Sequence, residues 1–195
     1  LSESPRIIYQ LQRTLAHEAA HLFQNAGALP SSTTSAWIHE GGAEVATLSA
    51  LNQAKLISSK DVDTDVQKAY KLCANYLKEG TINDSVKNRR QAHYHCGQII
   101  AYITDAALIK HTYFDFWKAL MINAGRPEQN NHYSAETYFQ TMLELGADKD
   151  IVRQITKLVS EIVDQPNKTL SKLMRQSGLN AQFNDKDELV KFRMP

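Results

Sequence analysis

Apolar residues recur every three to four positions through most of this 195-residue chain. That period marks helices with one buried face. The first run extends from about Ser4 to Asn25, and Ile8, Leu11, Leu15, Ala19, Leu22 and Phe23 fall on one side of it. These six are expected to form its buried face. Pro5 near the start and Gly27 just past the end bound the run, because proline suits a first helical turn and glycine suits the turn that ends one.

A loop rich in Pro, Ser and Thr, from Gly27 to Ser35, leads into a second predicted helix at about Ser35–Ala54. Further helices are predicted at about Asp63–Lys78, Arg90–Lys110, Tyr113–Ala124, Ala135–Leu145, Lys149–Val163 and Lys168–Gln176. Gly80, Gly125, Gly146, Pro166 and Gly178 fall in breaks between them. No stretch alternates with β-branched enrichment, so no sheet is expected. The residues from Leu179 on are polar and charged and read as irregular. The expected fold class is all-α, a multi-helix bundle or array. Residues 1–125 are expected to form a helical catalytic subdomain, and 126–195 a helical extension packed on the same core.

Composition narrows the function. Hydrophobic residues make up 43% and charged residues 22%, as in an ordinary soluble domain. A net charge of +1, with Lys and Arg spread along the chain, gives no basic stripe for nucleic acid. The longest apolar stretch, Ile99–Ile109, is broken by Thr104 and Asp105 and is too short to span a bilayer. Cys73 and Cys96 can pair or remain two buried thiols. The chain starts at Leu1 with no signal peptide, as expected of a processed product, a domain or a fragment.

The chemistry is concentrated in His17-Glu18-Ala19-Ala20-His21, an H-E-x-x-H motif inside the first predicted helix. Positions four apart stack on one helix face, so both imidazoles can reach one ion, with Glu18 placed to hold and deprotonate a metal-bound water. Chance yields this motif about once in a hundred chains of this composition. A catalytic zinc takes three protein ligands and leaves a position open. The segment Trp37-Ile38-His39-Glu40-Gly41-Gly42-Ala43-Glu44 offers Glu40 as the third, with eighteen residues separating it from His21. Glu44 lies one turn on and can accept a hydrogen bond from a ligand imidazole.

H-E-x-x-H, that gap, and W-x-x-E-G-x-A-E resemble the gluzincin zinc peptidases, in particular the aminopeptidase N and glycyl aminopeptidase families. The resemblance runs from about Arg13 to Trp117. It implies Zn2+ held by His17, His21 and Glu40, with Glu18 as general base and Glu44 behind the ligands. It also implies a peptide or protein substrate. Tyr94-His95-Cys96-Gly97 is similar to the Y-x-x-G segment of the same families, which implies that Tyr94 stabilises the oxyanion. Gly42 departs from the pattern, since those families usually carry an aromatic there.

Gluzincins place a β lobe ahead of the H-E-x-x-H helix, and only sixteen residues precede His17 here. The resemblance therefore implies the helical half of a longer peptidase, inactive by itself if that lobe is required. The compartment stays open, with a lean to extracytoplasmic. Among the other histidines, His93 and His95 sit two apart and face different ways on a helix; His39, His111 and His132 read as structural or solvated. Three other readings remain at this point. They are another zinc hydrolase on the scaffold, a peptidase-like interaction domain without catalysis, and a plain helical bundle with a coincidental motif.

Overall fold

The computed structural model describes residues 5–25, 28–32, 35–84 and 91–194. Its helices are α1 (Pro5–Gln24), α2 (Ala36–Gln53), α3 (Ser59–Leu77), α4 (Ala92–Ala107), α5 (Tyr113–Ala124), α6 (Ala135–Glu144), α7 (Lys149–Ser160) and α8 (Pro166–Gln176). Two short strand pairs accompany them, and the molecule is an all-α array as the periodicity predicts.

Local chemistry sets several boundaries. Ser58, Thr112 and Ser134 cap α3, α5 and α6 through reciprocal bonds with Asp61, Asp115 and Thr137. The Ser58 box starts α3 four residues before the predicted Asp63. Gly146 and Gly178 take positive φ after α6 and α8, and the next amides reach back to Met142 O and Met174 O. The predicted helix starts at Ser4 and Arg90, and the predicted stop at Gly27, lie outside the described residues.

The core centres on α4, whose Cys96 through Thr104 are buried without a break. α4 lies against α2 backbone to backbone. A Cβ on Gly97 would sit 2.2 Å from Trp37 O, and one on Gly41 would sit 2.1 Å from the Gly97 carbonyl carbon. Only glycine permits that approach. Trp37, Phe116, Trp117, Tyr133 and Tyr138 are among the largest fully buried side chains, and the buried apolar residues form one cluster from Ala28 to Phe192. Cys73 on α3 and Cys96 on α4 are joined as a disulfide.

Three expectations need correction. The apolar face of α1 is not buried: Ile8, Leu11, Leu15, Leu22 and Phe23 are exposed, Leu22 at 77%, and so is Ala19. The opposite, polar face docks on α2. Second, the end of the chain is ordered as an antiparallel pair, β3 (Ala181–Phe183) and β4 (Leu189–Phe192). Leu189 and Phe192 insert into the core, and the Phe192 ring lies 4.8 Å from that of Tyr102. The short segment β1 (Leu29–Pro30) also pairs in parallel with β2 (His132–Tyr133). Third, α4 and α7 end before Lys110 and Val163, at Ala107 and Ser160.

Candidate metal centre

The docked face of α1 carries His17 and His21, and α2 presents Glu40 and Glu44 opposite them. His17 Nε2 is 3.0 Å from His21 Nε2 and 3.2 Å from Glu40 Oε2, and His21 Nε2 is 3.4 Å from Glu40 Oε2. Ligands about 2.0–2.1 Å from a tetrahedral zinc are separated by roughly 3.3 Å. The three donors already form a triangle of that size. They are the only group of three or more His, Cys, Asp or Glu among the described residues that could hold a metal.

The second nitrogen of each imidazole is occupied. His17 Nδ1 lies 3.3 Å from Glu44 Oε1, and His21 Nδ1 lies 2.9 Å from Gln24 Oε1. A carboxylate and an amide oxygen are acceptors, so both rings keep a proton on Nδ1 and turn Nε2 toward Glu40. Glu44 is fixed in turn by Arg13, which also pairs with Asp65 at 2.7 Å. Asp65 accepts from Gln98 of α4 at 3.2 Å, so the chain of contacts from His17 ends in the core.

Charge follows from this packing. Hydrogen bonds to Glu40 and then Glu44 outweigh burial and raise His17 to a pKa of about 9. A bond to Glu40 likewise raises His21. Burial opposes ionisation of Glu40, but hydrogen bonds from His17 and His21 overcome it and hold the carboxyl well below its usual range. Burial also works against Glu44, and His17 and Arg13 again prevail. Without metal, the site is an imidazolium–carboxylate cluster, and protons compete directly with a cation.

No family model, curated protein or solved structure matches this chain. The likeness to gluzincins therefore rests on the motif residues alone.

Glu18 is exposed and lines a cleft of about 870 Å3 with Tyr9, Arg13, His17, Glu44, Asp65 and Tyr94. Tyr94, near the start of α4, has its ring 6.1 Å from that of His17. Partial burial and then the negative charge of the Glu40 carboxylate raise its pKa and keep it neutral. All six residues singled out from sequence, His17, Glu18, His21, Glu40, Glu44 and Tyr94, thus lie around one centre. His39 lies beneath the site with its ring stacked on His21 at 4.3 Å, and burial lowers it to a pKa of about 4. Its Nδ1 shares a hydrogen bond of 2.6 Å with the Tyr133 hydroxyl. His132 is half-buried and bonds a loop carbonyl, and His95 stacks on Tyr76. His111 is exposed.

Gln24, Arg13 and Asp65 were not singled out from sequence. Gln24 follows His21 by three positions and Arg13 precedes His17 by four, so both share the ligand face. That alignment was the available signal.

Proposed function

We propose that this chain carries the metal site of a zinc-dependent peptide hydrolase of the aminopeptidase-like gluzincin type. The observation that carries this reading is the Nε2–Nε2–Oε2 triangle, sized for a tetrahedral ion and buttressed through both Nδ1 atoms. His17, His21 and Glu40 would hold the ion. Zinc supplies Lewis acidity there, making water more acidic and the substrate carbonyl more electrophilic.

The protein's own groups divide the remaining work. Glu18, on the helix face turned to the cleft, takes the proton from the attacking water and returns it to the departing amine. Tyr94 keeps its proton and donates toward charge developing on the carbonyl oxygen. Glu44 holds the His17 imidazole in the orientation that directs Nε2 to the ion. The buried Cys73–Cys96 disulfide supports placing the protein in an oxidising, extracytoplasmic compartment.

Zinc-loaded protein assayed on peptides with free and blocked amino termini tests the reading. Loss of cleavage on blocking identifies an aminopeptidase. Glu18→Gln keeps its zinc and loses about 10²- to 10⁴-fold in turnover. Turnover indifferent to both this substitution and a chelator contradicts the proposal.

A further inference from the structure

Gln24 is a polar side chain at 1% exposure, on a helix whose outer face is bare. It lies between the second ligand and the element that carries the third. Its Oε1 faces His21 Nδ1 at 2.9 Å, and its Nε2 donates to His39 O, the residue before Glu40, at 2.9 Å. One amide thus ties the α1 ligand to the backbone of α2 and uses a donor and an acceptor at once.

The room for that amide comes from Gly42. A Cβ at position 42 would approach Gln24 Nε2 to 2.7 Å and Trp117 Cζ2 to 2.6 Å. The missing side chain is replaced from two directions, by the Trp117 indole from α5 and by the Gln24 amide from α1. The His39 ring stacks on that of His21 at 4.3 Å. Gly42 is where the resembled families carry an aromatic, and here the space is filled by residues distant in sequence.

We infer that Gln24 is a positioning residue for the metal site, fixing the tautomer and ring angle of His21, and that Gly42 is glycine to admit it. This rests on the proposed metal site, and it acts through His21 without touching substrate. A reading on the metal-free protein separates the two.

The test compares wild type with Gln24→Met, which conserves volume without bonding, Gln24→Glu, which restores the acceptor alone, and Gly42→Ala. Zinc is titrated alone against a competing chelator, and ring-nitrogen NMR reads the His21 tautomer with zinc and, at alkaline pH, without metal. Gln24→Met and Gly42→Ala are expected to weaken zinc by about 10- to 100-fold and to lose the Nδ1–H form of His21. Gln24→Glu regains both. Wild-type affinity and tautomer in Gln24→Met overturn the inference, as does a Gln24→Glu protein as impaired as Gln24→Met, which would leave only support of His39 O. If wild type takes up no zinc, the proposed function falls, while the metal-free tautomer still decides the role of Gln24.

Discussion

Helices α1 and α4 both border the candidate metal centre, yet they are held by opposite means. α4 is sealed in the core, with Gly97 against the Trp37 carbonyl and a disulfide to α3. α1 is attached through its polar face. Arg13 bridges Glu44 and Asp65, Gln24 reaches the α2 backbone, and the imidazoles meet Glu40 and Glu44. Its apolar face, with Leu15 and Leu22, is exposed. The core half thus positions Tyr94, while His17, His21 and Glu18 ride on a helix secured by the site's own polar contacts. Such a helix should respond to metal far more than α4 does.

The largest effect that sharpens this contrast is expected from Gly97→Ala. The new Cβ meets backbone, which cannot rotate away, so the cost should exceed about 3 kcal/mol, read as a large drop in the thermal midpoint. A melt close to wild type would refute the backbone contact. Replacing both cysteines by serine should cost about 3 kcal/mol, given the 23-residue separation. Denaturant melts that coincide would show that the disulfide does not brace α4. Arg13→Met leaves two half-buried carboxylates without their cation and should cost about 1–2 kcal/mol. Hydrogen exchange should place that loss in α1 amides, and equal loosening of α4 would erase the distinction. Smallest is Leu15→Ser on the bare face, expected to change stability by less than about 0.5 kcal/mol. A loss near 2 kcal/mol would mean that Leu15 is packed after all.

These differences also explain what could be read in the sequence. The eight helices were legible because the period of apolar residues is a local property. The triad was legible because His17 and His21 stack by helix geometry and Glu40 lies one loop away. Periodicity establishes that α1 has an apolar face, but it does not supply a partner for it. Hence periodicity alone points Leu11, Leu15 and Leu22 inward, whereas the histidine face is the docked one. The hairpin at Leu189–Phe192 escaped notice because its burial runs in, out, out, in, and a register shift at Gln182/Phe183 breaks the alternation. Gln24 reads as a solvated glutamine until the vacancy at Gly42 and the approach of Trp117 from α5 are known.

Metal titration tests the central claim most directly. The protein should bind one zinc per chain, and His17→Ala, His21→Ala and Glu40→Ala should each abolish tight binding. Because zinc needs unprotonated imidazoles and both histidines are raised, affinity should climb at least about tenfold per pH unit from neutrality and level off above the His17 pKa of about 9. Stability of the metal-free protein runs the other way. The contribution of the raised His17 pKa is complete below the unfolded value of about 6.5 and fades as pH rises through 9. A chain that takes up no zinc, or keeps it after loss of all three residues, contradicts the account.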